Sequence, residues 1–174
     1  MKNRAVEALA LFAALQATFS DVHPVCDQIL QRDADAVDKG KAGWTGRKAS
    51  ARHVGTYTAG QLLAAVGVTR GLGFRLPGKA LLVGTAINAV THYVIDRRTP
   101  LDRMLRSTLL GKGPYLDHAT VVRRVGPGGE PVVDASGPGT AFTECDQSAH
   151  RLISVDASVT TTWLALRSRT GREA

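Results

Sequence analysis

Apolar side chains recur at helical spacing in four long stretches of the chain. In the first stretch, which begins near Arg4, one face is marked by Val6, Leu9, Ala10, Ala13 and Ala17. The other predicted helices lie at about 51–68, 79–97 and 140–167, with a short one at about 100–110. The pattern predicts a mainly α protein, a compact multi-helix bundle in which residues 1–174 form a single helical domain.

Three features interrupt the helical pattern. Pro24 stands near the end of the first helix, where proline either kinks a helix or lies in the first turn of a new one. The polar, glycine-containing segment 33–52 is expected to be a loop. Residues 111–140 are expected to be an irregular insertion, because GPGGEPVVDASGPG is rich in Gly and Pro, with VVRRV and PVV as two short strands. Whether this insertion is a lid over a site or a passive surface segment stays open.

Composition narrows the class of protein. The 174 residues are 44% hydrophobic and 5% aromatic, enough to bury a core made mostly of Leu, Val and Ala. A formal net charge of +7 permits contact with nucleic acid or with an anionic membrane surface. The lack of a recognised binding motif and the few aromatic residues argue against nucleic acid. Cys26 and Cys145 make no disulfide framework and are expected to be small buried hydrophobic residues.

The apolar N-terminus is interpreted as a helix of the domain instead of a signal peptide. Glu7 interrupts the apolar run, and no convincing small-residue cleavage site follows it. The longest stretches without charged residues are 53–69 and 80–95, and both are shorter than the ~20 residues that span a bilayer. They are expected to be buried helices, with marginal membrane helices as the alternative. The expected location is the cytoplasm or the cytoplasmic membrane.

Histidine and aspartate lie four residues apart in three places. The pairs are His23 and Asp27, His92 and Asp96, and, in reverse order, Asp146 and His150. On a helix, residues at i and i+4 share a face with Cβ atoms about 5–6 Å apart, so both side chains can reach one divalent ion. The pairs are embedded in apolar segments, where an unpaired charge would be costly. They predict, together with His53, a metal site. An internal His–Asp network without metal is the alternative, and His118, which fits no pair, is expected to be structural or exposed.

With these motifs in order, the chain resembles an uncharacterised helical family of bacterial and phage proteins, a domain of unknown function. The resemblance rests on an HxxxDxxxQ motif ending at Gln31, a downstream Lys39, His53 with Tyr57, a second HxxxD motif, and a DQxxH motif containing Gln147. It covers roughly residues 19–166. Members of that family are often described as membrane proteins, and the resemblance implies no established activity. This chain is less hydrophobic and more basic than the family pattern, and it carries the Gly/Pro-rich insertion.

The candidate ligands predict a metal-dependent hydrolase, acting on a small phosphorylated substrate. Four histidines and three aspartates exceed what one structural zinc needs, and mixed imidazole and carboxylate ligation suits one or two ions of Zn, Mn or Fe(II). The candidate catalytic residues, which would contact the substrate or support the ligands, are Gln31, Lys39 and Gln147. Arg97 and Arg98 are further positive charges near the site in sequence. The alternative is a non-enzymatic, membrane-associated protein with a structural metal or a buried His–Asp network.

Overall fold

The computed structural model describes residues 2–125 and 128–170. The helices are α1 (Lys2–Pro24), α2 (Asp33–Asp38), α3 (Gly43–Gly71), α4 (Gly78–Asp96), α5 (Thr99–Leu105), α6 (Gly113–His118) and α7 (Ala141–Thr170). A π-helical turn, Val25–Ile29, follows α1, and the strands are β1 (Val121–Val125) and β2 (Glu130–Asp134). The predicted fold class is confirmed: a mainly α, multi-helix bundle with a short hairpin and a Gly/Pro-rich loop before the last helix.

The four long helices α1, α3, α4 and α7 form the bundle, with α4 and α7 in the most extensive contact. At one end of the bundle, its apolar core consists of Leu11, Leu15, Phe19, Ala65, Ala80, Ala157 and Ala165. Small residues allow close approach of the helices: a side chain at Gly84 of α4 would collide with Thr161 of α7. A second apolar cluster, around Leu101 and Phe142, packs α5 and α6 against the start of α7.

The interior of the bundle is rich in polar residues, while much of its exterior is apolar. Hydroxyl groups buried between the helices bond back to the carbonyl four residues earlier, as Thr69 does to Ala65 and Thr161 to Ala157. The outward face of α4 carries Leu82, Ala86, Val90 and Val94. One helical stretch, Arg4–Ile29, is long and apolar enough to cross a membrane, although core helices and signal sequences also meet that criterion. The exterior therefore offers apolar surface over several turns.

The prediction of a loop at 33–52 is wrong. The segment contains α2, and α3 begins at Gly43, eight residues before the expected start. The apolar spacing does not reveal the start of α3, because most of its residues are polar and only a narrow stripe is buried. This stripe is formed by Gly46, Ala49, Ser50 and His53. Asp35 of α2, itself buried, accepts hydrogen bonds from Arg52 of α3 and ties the two helices together.

The other interruptions are resolved by the structure. Helix α1 continues through Pro24 into the π-helical turn, so the proline lies within a continuous but distorted helix. The strands β1 and β2 pair antiparallel, with Val121 opposite Asp134 and Val125 opposite Glu130, as VVRRV and PVV predict. The segment 111–140 also contains α6, which the sequence analysis did not anticipate. Both cysteines are free thiols; Cys26 is buried and Cys145 is half-buried.

Candidate metal centre

The bundle brings all seven predicted ligands into one buried cluster. His23 lies in the last turn of α1, Asp27 lies in the π-helical turn, and His53 lies in the first half of α3. His92 and Asp96 come from the last turns of α4, and Asp146 and His150 from the first half of α7. All seven are nearly inaccessible to solvent except Asp146, which is half-buried. Their positions follow from the antiparallel arrangement, in which the ends of α1 and α4 meet the beginnings of α3 and α7.

Four of these residues place one ligand atom each in a compact group. The Nε2 atom of His53 lies 2.9 Å from Asp27 Oδ1, 3.0 Å from His92 Nε2 and 3.1 Å from Asp96 Oδ2. His92 Nε2 is 3.2 Å from Asp96 Oδ2 and 3.9 Å from Asp27 Oδ1. Ligands 2.0–2.1 Å from a tetrahedral zinc are about 3.3–3.4 Å apart. The four atoms could therefore hold one metal ion.

Hydrogen bonds alone cannot satisfy all four of these ligand atoms. A single N–H on His53 Nε2 faces three acceptors at nearly equal distance and can be aligned with only one of them. Asp96 Oδ2 is buried and has no hydrogen-bond partner among the described residues, although two imidazole nitrogens lie within 3.2 Å of it. Lone pairs that converge without enough protons to join them are expected where a cation belongs.

A second group adjoins the first and shares Asp96. His150 Nε2 lies 3.7 Å from both Asp96 Oδ1 and Asp146 Oδ2. One ring nitrogen each of His23, His92 and His150 also lies within 4.8 Å of the other two. The Nε2 atoms of His23 and His150 are buried and have no hydrogen-bond partner in the described chain. These atoms offer ligands for a second ion, with Asp96 between the two positions.

Burial and mutual contact set the protonation of the cluster. Burial, together with the nearby His150, lowers the pKa of His23 to about 3, and burial lowers the pKa of His92 to about 4. Both rings are therefore neutral at pH 7, with lone pairs available to a metal. Burial opposes ionisation of Asp96, but the surrounding imidazoles hold its pKa well below the usual range. Burial raises the pKa of Asp146.

His53 and Asp27 form the most tightly coupled pair of the cluster. Burial disfavours charge on both, yet the contact between His53 Nε2 and Asp27 Oδ1 raises the pKa of the imidazole and lowers that of the carboxyl. Lys39 also holds the Asp27 pKa down. Because the raised pKa means that His53 holds its second proton more tightly than an ordinary histidine, a metal ion that binds through its Nε2 would have to displace a proton.

The three predicted catalytic residues have different surroundings. Lys39 Nζ lies between two carboxylates, 3.2 Å from Asp27 Oδ1 and 3.1 Å from Asp96 Oδ1. Burial opposes its charge, but these carboxylates raise the pKa of the ammonium. Gln147 Nε2 donates to Asp27 Oδ2 at 3.4 Å and to Asp146 Oδ2 at 3.3 Å. Gln31 lies on the wall of the adjoining cleft. Lys39 and Gln147 therefore contact the candidate ligands directly.

Tyr57 orders the buried side of the cluster. Its ring stacks on His92 at a centroid distance of 3.8 Å, and its Oη lies 3.0 Å from His23 Nδ1. Gln61 donates to this hydroxyl at 3.3 Å, and the hydroxyl donates to Asn88 Oδ1 at 3.4 Å. The tautomer of His23 that donates from Nδ1 to Tyr57 leaves Nε2 free as a ligand. Sequence analysis missed Gln61 and Asn88, although each lies one turn from Tyr57 or His92 on the same helix face.

Arg97 was also missed as a structural residue. Its Nη1 donates to the carbonyl of Lys39 and its Nη2 to the carbonyl of Lys41, both at 2.6 Å. We call this arrangement the arginine clamp, since it fixes the backbone that carries Lys39. Gly46 leaves room for the clamp, because a side chain there would collide with both the guanidinium and the Lys41 carbonyl. Local sequence carries no signal for a contact between residues this far apart in the chain.

A cleft of ≈ 640 Å³ opens onto the cluster. Its inner end is lined by Asp27, Lys39, Asp96, Asp146 and Gln147. Its outer part is formed by Arg98, by the end of the hairpin, by Gln28 of the π-helical turn and by Ala36 and Val37 of α2. The site therefore has a route for a small molecule to the candidate ligands. His118, outside the cluster, is exposed as expected.

Comparison with protein-family models, with curated proteins and with solved structures finds no match to this chain. The resemblance to the helical family of unknown function stays a prediction.

Proposed function

We propose that the protein is a metal-dependent hydrolase of a phosphate ester. The observation that carries this proposal is the set of four ligand atoms from His53, Asp27, His92 and Asp96, at distances of 2.9–3.9 Å where these are measured from an imidazole. Two buried atoms without a hydrogen-bond partner among the described residues, Asp96 Oδ2 within the set and His150 Nε2 beside it, support the same conclusion. A cleft whose inner end is lined by Asp27, Asp96 and Asp146 supports a reactive centre, because it gives a small molecule a route to these carboxylates.

The ligands of the centre would be neutral imidazoles and ionised carboxylates. Zn, Mn or Fe(II) suits this mixture, and two ions could share Asp96. An ion held by these residues would supply Lewis acidity toward water and toward a phosphoryl oxygen. The protein's own contribution is to hold the ligands in place through the tyrosine network and the arginine clamp. Lys39 and Gln147 would orient the phosphoryl group at the inner end of the cleft.

Metal content is the first experiment. Elemental mass spectrometry of the purified protein should find about one or two equivalents of Zn, Mn or Fe per chain, before or after incubation with the added ion. His150→Ala should lose at least part of this metal. His118→Ala is the matched control, since it removes an exposed histidine outside the cluster. A wild-type protein that neither contains nor takes up these metals would overturn the proposal.

Activity is the second experiment. The metal-loaded protein is assayed with p-nitrophenyl phosphate and bis(p-nitrophenyl) phosphate, with the chelated protein as the blank. Hydrolysis of either probe that is lost on chelation and in His150→Ala supports a phosphohydrolase. Full metal loading without hydrolysis of either ester would count against catalysis and favour a structural metal.

The second candidate is a non-enzymatic, membrane-associated protein in which the cluster is a metal staple or a His–Asp network. The apolar outward face of α4 and the apolar stretch Arg4–Ile29 favour it. Flotation with liposomes containing about one third anionic lipid tests membrane association at low and high salt. Protein that stays in the dense fraction under both conditions would contradict this candidate. Protein that floats, and that shows no hydrolysis when loaded with metal, would support it.

A further inference from the structure

Two consecutive arginines follow α4, and their surroundings differ. Arg97 forms the arginine clamp, in which both Nη atoms are occupied by carbonyl oxygens. Arg98 lines the cleft, where its Nη1 donates to the neutral hydroxyl of Ser136 at 3.1 Å. Within residues 2–125 and 128–170, Arg98 has no carboxylate at ion-pair distance. Arg97 thus commits both of its Nη atoms to the fold, whereas Arg98 keeps donors for a ligand.

We propose that Arg98 is a specificity-determining residue, whose guanidinium binds an anionic group of the substrate at the mouth of the cleft. The inference rests on the proposed hydrolase function and narrows its substrate class. The substrate would be a phosphate ester of an organic molecule, recognised through its negative charge and through an apolar part.

The charge distribution along the cleft supports this role. Lys39, the other cation that lines the cleft, is neutralised by two carboxylates of the metal centre. Asp134, the carboxylate at the hairpin end, binds Arg123 Nε at 2.5 Å and accepts from the backbone N–H groups of Ser136 and Gly137. Among the described residues that line the cleft, Arg98 is therefore the cation without a carboxylate partner.

The backbone places this side chain at some conformational cost. Arg98 has φ 58° and ψ −53°, and it is the non-glycine residue of the described chain with positive φ. L-residues rarely adopt this conformation, and strain of this kind concentrates at ligand-binding positions. The conformation carries the side chain across Gly40, where a Cβ atom would lie 2.8 Å from Arg98 Cδ. Glycine at position 40 thus leaves the space that the arginine occupies.

The chemistry of the cleft fits an organic phosphate. A guanidinium presents paired N–H donors in a planar fork that matches phosphate oxygens. Val37, Pro138 and Phe142 add apolar surface to the walls. At ≈ 640 Å³, the cleft is in the range of sites for small organic ligands and far larger than inorganic phosphate needs.

The test measures phosphate binding and hydrolysis separately. Inorganic phosphate is titrated into the metal-loaded protein by isothermal calorimetry, for the wild type, Arg98→Gln, Arg98→Lys and Arg103→Gln. Arg103 is the matched control because it is an exposed arginine on α5 outside the cleft. Metal content and melting temperature are recorded for each variant, so that a loss of phosphate binding cannot be confused with a loss of metal or of fold. The same proteins are assayed with p-nitrophenyl phosphate.

We expect Arg98→Gln to raise the Kd for phosphate by about 10- to 100-fold, as for the loss of a charge-assisted hydrogen bond. Arg98→Lys should fall between this variant and the wild type, and Arg103→Gln should match the wild type. The KM for the ester should rise in the same order, with a smaller change in kcat. Phosphate binding by Arg98→Gln at wild-type strength, or no binding by the metal-loaded wild type, would overturn the assignment. If binding depends on Arg98 but no ester is hydrolysed, the hydrolase proposal fails while the anion site stands.

Discussion

Replacing Asp96 by asparagine should separate the electrostatic role of this carboxylate from its shape. Asp96 is 2% exposed and contacts Lys39, His53, His92 and His150. In the metal-free protein the variant removes one of the two carboxylates that neutralise the buried Lys39 ammonium. Breaking a buried ion pair costs about 3–5 kcal/mol, and the remaining partner, Asp27, places this case near 3 kcal/mol. For a domain of this size, that loss lowers Tm by roughly 6–12 °C.

The loss of metal affinity should be larger than the loss of stability. Asp96 is the one carboxylate that belongs to both groups of ligand atoms. Removing even a residue that only supports a metal ligand typically costs about 10- to 100-fold in affinity, so loss of Asp96 itself should exceed ~100-fold. An ion at 1,000 times its Kd adds about 4 kcal/mol to stability. Added metal should therefore raise the Tm of the wild type clearly and that of Asp96→Asn little or not at all.

The Tm of each protein is measured by thermal unfolding, once with EDTA and once with added Zn or Mn. Elemental mass spectrometry measures the metal content of the same proteins. Asp156→Asn is the matched control, because Asp156 is exposed on α7 outside the cluster. It should behave as the wild type in both conditions. A variant Asp96→Asn that keeps the wild-type metal content and the wild-type response of Tm to metal would refute the assignment of this cluster as a metal centre.

Two further predictions concern the arginine clamp and the buried histidines. Gly46→Ala should break the arginine clamp and lower the metal-free stability by roughly 2–3 kcal/mol, since charged donors lose their carbonyl partners; Gly55→Ala, in open space on the same helix, should show no loss. The metal-free protein should lose stability as the pH falls from about 6.5 towards 4. The lowered pKa values of His23 and His92 mean that the unfolded chain binds protons there first, whereas the raised pKa values of His53 and Asp146 oppose this trend. Chemical unfolding across this pH range measures the sum, and a flat profile would contradict it.

The helical fold was predictable because its signal is periodic and local. The boundaries of α4 and α7 fall within a few residues of those that the apolar spacing predicts. The i, i+4 spacing also anticipated which His and Asp side chains share a face. It did not anticipate α2, whose buried residue is the charged Asp35, or the first turns of α3, whose narrow buried stripe consists of glycine, alanine and serine.

The details of the candidate site lay beyond local patterns. Lys39 reaches the cluster because the arginine clamp holds its backbone from another helix, at a separation of 58 residues. The different environments of Arg97 and Arg98 depend on the positive φ of Arg98. An arginine in the sequence does not predict this backbone conformation, which is typical of glycine. Contacts of this kind depend on packing between distant segments, which no short window of sequence contains.

The candidate ligands come from the four long helices and the π-helical turn, and they lie far apart along the chain, from residue 23 to residue 150. An ion held by all of them would act as a non-covalent cross-link between segments that in the unfolded chain are joined only by long, flexible loops. Closing such loops costs conformational entropy, and this cost is met when the bundle folds, before the ion binds. The binding free energy of the ion is then available only to the assembled bundle, so occupancy of the centre would report on the integrity of the whole fold.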